Sequence, residues 1–286
     1  MKVSVIILTY NRAKRLVEAI DSVLNQTFKN LELIIVDNYS SDDTESVVNS
    51  LKDQRIRYFK NENKGFLGIN RNFGIEKAQG EYIAFLDDDD IWLPEKLAKQ
   101  IEMLDANKEL GLVYADCYIM DDSGALKEKT YLASRKPARG PALTGLLQDN
   151  TIPILTAVIR KGALDKVGGF NTEYLIAQDY DLWLKIAQHY PIGFINEPLA
   201  KYRVHRGAAS SKNHIINYKE DLQIRSRWLK KNPELKNQLG GRCKALKHWP
   251  IFLGALGHIF RNKNFKSVKE SVGLLKYMLL QEYEKD

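Results

Sequence analysis

The chain has 286 residues, 44% hydrophobic and 28% charged, with a formal net charge of +7; this composition excludes disorder as the default state and suits one large domain, or one domain with an appendage. The charge is unevenly placed: residues 1–200 carry 24 Lys and Arg against 29 Asp and Glu, and residues 201–286 carry 19 against 7. A basic block of this kind fits a membrane surface or a solvated helical face; without aromatic-flanked RNA signatures or Cys/His fingers, nucleic acid is not an expected partner.

The chain opens with "KVSVIIL", a continuous β-branched run expected of a strand buried on both faces. The polar turn "TYNR" ends it. Leu16, Ala19, Ile20, Val23 and Leu24 then follow the spacing of a helix with one apolar face. "LELIIV" at 31–36 repeats the strand pattern and stops at Asp37, and "NYSSDDTESVVNSL" continues as a capped helix. "IRYF" at 56–59 predicts a third strand, "NRNFGIEKA" a short helix closed by Gly80, and "YIAFL" at 82–86 a fourth strand. Pro94 suits the first turn of a further helix carrying Leu97, Ile101 and Leu104.

This alternation predicts an α/β fold with an open, mostly parallel sheet flanked by helices. Beyond it, "LVYADCYIM" is strand-like and residues 127–150 read as a long loop. "TAVIR" at 156–160, "GFIN" at 193–196 and "LAKYRV" at 199–204 resume strands around the helix "DYDLWLKIAQHY". From 214 onward only helices are expected. The two cysteines, Cys117 and Cys243, match no disulfide framework or zinc spacing, so a reducing compartment is expected. The first apolar run is too short for a signal-peptide core, and none reaches the roughly 18 to 20 residues of a membrane span.

In open α/β sheets ligands bind beyond the carboxyl ends of strands, where Thr9, Asp37 and the run Asp87 to Asp90 fall. Neither G-x-G-x-x-G nor G-x-x-x-x-G-K-[ST] is present, which argues against a dinucleotide dehydrogenase or a P-loop kinase. Four adjacent carboxylates confined between "YIAFL" and "IWLP" are accounted for by a divalent cation and a ligand diphosphate; the alternative is a solvated acidic turn.

"VSVIILTYNR", "LELIIVDNYSSDDT", "NENKGFLGINRNFGIEKAQGEYIAFLDDDDIW", "GGFNTEYLIAQDYDLWLKI" and "YRVH" together resemble the inverting GT-A glycosyltransferases of family two, over about residues 2–210. The resemblance implies a GT-A catalytic domain over 1–213, with a nucleotide-sugar half to about 110 and an acceptor half from 111, followed by a basic helical C-terminal extension over 214–286. It implies that Thr9, Tyr10, Asn11 and Arg12 form the nucleotide turn, that Asp37 meets a pyrimidine base, usually uracil, and that Arg71 helps hold the nucleotide. The D-x-D pattern falls on Asp87, near the ribose, and Asp89, on Mn²⁺ or Mg²⁺, with Asp88 between them and the register open by one residue. His205 matches a histidine that approaches the metal or diphosphate, with Arg203 close by; a structural hydrogen-bonding role is the alternative.

The base that takes the acceptor proton is implied to be Asp179, with Asp181 as runner-up and an N-cap as the structural alternative for Asp179. Gln178 stands where Glu is common, which removes a negative neighbour and should ease ionisation of Asp179. Asn70 before Arg71 is another departure. Trp92 and Trp183 suit either sugar stacking or the core.

The expected function is transfer of a sugar from a nucleotide diphosphate-sugar, UDP-linked by the resemblance, to a hydroxyl of a glycan or lipid-linked saccharide in surface polysaccharide assembly. The alternative is a catalytically silent nucleotide-sugar-binding module that recruits partners or membrane through its basic tail; a metal-dependent nucleotidyltransferase ranks below both. The location expected is cytoplasmic, with the tail against the inner face of the cell membrane or packed on the protein itself.

Overall fold

The computed structural model of the protein describes residues 1–205, 207 and 213–239. The chain divides into two compact units, Met1–Ala208 and Ala209–Asp286. The first begins with β1 (Val3–Thr9), α1 (Ala13–Leu24), β2 (Leu31–Asp37), α2 (Thr44–Ser50), β3 (Ile56–Lys60), α3 (Leu67–Lys77) and β4 (Tyr82–Asp87). It continues through β5 (Ile91–Trp92), α4 (Lys96–Ala106), β6 (Leu112–Met120), β7 (Leu126–Thr130) and α5 (Leu143–Gln148). After a 3₁₀ turn at Ile154–Thr156 come β8 (Val158–Arg160), α6 (Lys161–Val167), α7 (Gln178–His189) and β9 (Ile192–Arg203).

The strands form one mixed sheet in the order β3-β2-β1-β4-β8-β6-β9-β5, with β7 paired to β6. β1, β2, β3 and β4 are parallel, as βαβ crossovers require. Every residue of β1 and β2 is buried, which is why both read as unbroken apolar runs. α1 turns Leu16, Ala19, Ile20 and Val23 inward, and α3 lies so close to the sheet that a Cβ on Gly74 would sit 2.6 Å from Ile6 Cγ2. β8 runs antiparallel to both β4 and β6 and joins the two halves of the sheet.

The structure corrects several boundaries. Residues 127–150 are not a single loop, since they hold most of β7 and all of α5. The segments 193–196 and 199–204 belong to one strand, β9. Along its pairing with β6, Ala115 faces Ile195 but Asp116 faces Pro198; Asn196 and Glu197 bulge out just before a proline that has no N–H for the ladder. Only Val158–Arg160 of the predicted 156–160 strand pairs, because Ile154–Thr156 forms the 3₁₀ turn.

The second unit contributes α8 (His214–Lys231) and α9 (Pro233–Leu239). Asn232 ends α8, its backbone N–H donating to the Trp228 carbonyl at 3.0 Å, and Pro233 then opens α9 as the first-turn preference for proline allows. The rest of the basic helical extension expected over 214–286, from residue 240 onward, lies outside the described residues. Among the described residues no helix is long and apolar enough to cross a membrane.

Candidate active site

The parallel register places the strand ends side by side: Thr9 pairs with Asp37 across β1 and β2, and Leu8 pairs with Asp87 across β1 and β4. The loops that follow are tied together by side chains. Asn11, in the left-handed region at φ 52°, accepts from the Ser41 backbone N–H at 2.7 Å, and its own N–H donates to Ser40 Oγ at 2.8 Å. Asn is one of the few residues that tolerates this conformation. Asp37 is fully buried; it accepts from Ser40 N–H and Oγ at 2.9 and 2.6 Å and from the Tyr58 hydroxyl at 2.5 Å. Asp37 therefore anchors the loop in which Asn38 and Tyr39 follow.

Tyr10 and Tyr39 are 55% and 60% exposed on these adjacent loops. Tyr39 has φ 58°, uncommon for a bulky side chain and a form of strain that clusters at ligand-binding sites. No sequence signal singled it out.

The four aspartates divide their work. Asp87, the end of β4, pairs with Arg71 at 3.1 Å. Asp88 is buried between the Thr9 hydroxyl at 2.9 Å and Arg12 at 2.8 Å, and burial pushes its carboxyl up to about 6 against the pull of Arg12. Asp89 receives Arg12 Nη1 at 2.8 Å on Oδ2, the same oxygen that lies 2.8 Å from His205 Nε2. Asp90 accepts the Arg203 backbone N–H at 2.8 Å, and its other oxygen is buried without a partner. Burial, reinforced by Asp89 and Asp87, holds Asp90 well above the usual carboxylate range.

Three residues not foreseen from the sequence complete this corner. Arg15 Nη1 lies 3.0 Å from His205 Nε2, and Arg15 also pairs with Asp122. Arg203 reaches the Asp89 carbonyl at 2.8 Å and Glu18 at 2.6 Å. Arg15 and Glu18 are one turn apart on α1, and nothing in their local sequence marks them.

Among the described residues no three His, Cys, Asp or Glu side chains converge into a metal cage. Asp89 Oδ2 and His205 Nε2 do converge. One carboxylate plus one imidazole fits a divalent cation that takes its remaining ligands from diphosphate oxygens and water, Mn²⁺ being at ease with the nitrogen.

On the far side of Asp87, Arg71 is buried; with the Gln178 amide assigned in the orientation that satisfies both its ends, Arg71 donates to the Gln178 side-chain oxygen and the Gln178 amide donates to the Ile176 carbonyl at 2.6 Å. Gln178 thus holds the arginine that holds Asp87. Beside it, partly buried Asp179 is raised to about 6 by burial, with Arg71 the main opposing influence. Asp179 lies in the first turn of α7 and does not cap it: the cap position is Ala177, and Asp179 Oδ1 accepts the Tyr180 N–H at 2.7 Å. Asp181 is buried and pairs with Lys185 on its own helix at 2.8 Å. Asn70 is buried against Asn61. Trp92 and Trp183 are core residues whose indole N–H groups donate to the Leu155 and Ile152 carbonyls.

A mixed sheet flanked by helices, with an acidic turn at the ends of its parallel strands and the buried Arg71 paired to the half-exposed Asp87, is the GT-A fold. Two solved structures share it: S. aureus TarS 1-349 in complex with UDP-GlcNAc (TM-score 0.72, 18% identity, 96% of this chain and 80% of that one), and the mannosyltransferase PcManGT from Pyrobaculum calidifontis in complex with GDP-Man and Mn²⁺ (TM-score 0.67, 20%, 99% and 82%). Residues 4–168 match the family described as "Glycosyl transferase family 2", and the chain belongs to that family. The matched residues end before Asp179 and His205.

Among curated relatives, the chain is 32% identical over 267 residues to UDP-Glc:alpha-D-GlcNAc-diphosphoundecaprenol beta-1,3-glucosyltransferase WfgD of Escherichia coli, covering 92% of this chain and 98% of that one. It is 36% identical over 237 residues to an uncharacterized glycosyltransferase of Rickettsia conorii, covering 78% of this chain but only 37% of that protein's length.

Proposed function

We propose that the protein is a metal-dependent, inverting glycosyltransferase that moves a hexose or N-acetylhexosamine from a UDP-sugar to a hydroxyl of a lipid-linked saccharide, in surface polysaccharide assembly. The observation that carries this reading is the run of contacts from Asp87 at the acidic turn through Arg71 to Gln178, which precedes Asp179 in the chain, with Arg71 the charge that opposes burial at Asp179. It joins a leaving-group site to a base site through one arginine.

In this reading the uracil lies between the Tyr10 and Tyr39 loops above Asp37, and Thr9, Asn11, Arg12 and Asp88 shape the turn that meets the diphosphate. Asp87 contacts the ribose. Asp89 and His205 would hold Mn²⁺ or Mg²⁺, whose charge would stabilise the departing diphosphate. Asp179 accepts the proton of the acceptor hydroxyl as its oxygen forms a bond to the anomeric carbon. The bond from that carbon to the diphosphate breaks in the same step, its electron pair leaving with UDP on the opposite face, which inverts the configuration. A base raised to about 6 is ionised at neutral pH yet more basic than an ordinary carboxylate, as this proton transfer requires.

The relatives that act on diphosphoundecaprenol-linked GlcNAc support a membrane-linked acceptor, and the basic 214–286 extension supports work at the inner face of the membrane. The test is turnover of a panel of UDP-sugars with Mn²⁺, with and without acceptor. Metal-dependent release of UDP that is lost in Asp179→Asn is expected. No turnover with any donor would leave a nucleotide-sugar-binding module and refute the enzyme.

A further inference from the structure

The segment from Tyr131 to Gly140, "YLASRKPARG", is tied down along its length. The Tyr131 N–H donates to the Cys117 carbonyl at 2.9 Å, Leu132 N–H to Asp116 Oδ1 at 3.0 Å, and Ala138 N–H to Thr151 Oγ1 at 3.2 Å. It nevertheless carries three exposed cations, Arg135, Lys136 and Arg139.

This segment adjoins the base. α7, which bears Asp179, is bound to α5 by the Tyr180 hydroxyl on the Leu146 carbonyl at 2.9 Å, and to the stretch after α5 by the Trp183 indole on the Ile152 carbonyl at 3.2 Å. Arg135 Nη1 donates at 3.2 Å to the Asn150 carbonyl in that same stretch, and at 3.2 Å to the Tyr131 hydroxyl, over whose ring it stacks at 4.7 Å. Its nearest carboxylate, Asp149, stands off at 3.9 Å. Tyr131 lies near enough to Asp179 for the carboxylate to help burial raise its phenol. Arg71 approaches Asp179 from the donor carboxylates; Arg135, one aromatic side chain away, comes from another element.

Building on the function proposed above, we infer that Arg135, stacked on Tyr131 and backed by the neighbouring cations of its segment, is the seat for the diphosphate of the acceptor, fixing the saccharide so that its hydroxyl meets Asp179. A planar guanidinium with unshared donors suits bidentate binding of phosphate oxygens.

The test compares two soluble acceptors with a UDP-glucose donor and Mn²⁺: N-acetylglucosamine α-diphosphate on an alkyl tail, and the alkyl α-glycoside of the same sugar without phosphate. For the native chain, the diphosphate acceptor is expected to have the lower KM. Arg135→Gln should raise that KM by about tenfold or more, leave the donor KM within about twofold, and abolish the preference between acceptors; Arg135→Lys should restore part of it. An equal effect of Arg135→Gln on both acceptors, no effect on either, or a raised donor KM would overturn the assignment with the transferase reading intact. No transfer to either acceptor by the native chain, with UDP-glucose or with any other UDP-sugar of the panel, would overturn the transferase reading and this one with it. Thermal melts of both variants separate loss of folding from loss of binding.

Discussion

Replacing Arg71 with glutamine puts the link between the two ends of the site to a quantitative test. The side chain is almost fully buried, pairs with Asp87 at 3.1 Å, donates to Gln178 and stacks over Phe170 at 5.5 Å. It is also the main influence keeping Asp179 as low as about 6 against burial. An opposite charge at such a site is worth about 1 to 3 pK units; a loss of about 1 to 2 moves Asp179 from about 6 to about 7 to 8. The ionised fraction at pH 7 then falls from about 90% to between about 50% and 10%, so kcat falls about twofold to tenfold from this cause alone. At pH 9 the base is ionised in both proteins and the difference in kcat from ionisation nearly disappears. The assay is steady-state UDP release from pH 5 to 9 at saturating donor, with KM followed separately, since loss of the Asp87 partner should raise the donor KM at every pH. A kcat deficit of constant size from pH 6 to 9 would refute the coupling and leave Arg71 acting on the donor only.

Three further outcomes are expected. Asp89→Asn and His205→Ala should each weaken Mn²⁺ binding in the presence of UDP by about tenfold or more, read by calorimetric titration; unchanged affinity in both would remove them from the metal site. Gly80→Ala should destabilise by about 1–3 kcal/mol in urea melts, because its Cβ would fall 2.5 Å from the Ser4 backbone nitrogen, and neutrality there would mean that the β1 edge yields. Lys96 is fully buried over the Trp92 ring, its ammonium without a partner and its pKa driven far down by burial. The unfolded chain therefore binds more protons at neutral pH, and stability rises with pH toward the ordinary lysine value. Lys96→Met should stabilise by about 1 kcal/mol or more and flatten that rise, and an unaltered dependence of melting temperature on pH would contradict it.

Most of the parallel half of the sheet is legible because β1, β2 and β4 are buried along nearly their whole length and α1 turns a single apolar stripe inward. The antiparallel and crossing strands are not. β5 has two residues and β8 three, so pairing partners far away in sequence decide their state. β7 is mostly exposed, "LKEKT", and offers no apolar alternation to read. β9 was split in two because Pro198 looks like a break, whereas the bulge absorbs it.

In the site, the resemblance pointed to Arg71, Asp89, Asp179 and His205; the structure sets Arg71 on Asp87 and Gln178 and Asp89 on His205, with Asp179 next in the chain to Gln178. It also shows what motif reading conceals. Gln178 looked like a lost charge beside the base, but it is the acceptor for Arg71. Asp37, matched to a base contact, has a second task in the protein: both its oxygens accept from Ser40 and Tyr58 and so hold the following loop. Arg15, Asp122 and Glu18 carry no local signal because their partners are more than 100 residues away.

The acidic turn is stitched to both ends of the catalytic unit, with Thr9 and Arg12 on one side and Arg203 and His205 on the other. During synthesis, the strands up to β4 can pair as they emerge from the ribosome, yet Asp90 and Asp89 wait more than a hundred residues for Arg203 and His205. At the 5 to 20 residues per second of translation, that is an interval of roughly 5 to 25 seconds. Assembly of the turn is among the last events of folding: a nascent chain holding β1 to β4 can set Arg12 and Arg71 against Asp87, Asp88 and Asp89, but Asp90 and the imidazole side of Asp89 stay unmet until β9 is made. Cation binding during refolding is then a reporter of completion: it should appear only in the slowest phase, with the docking of β9.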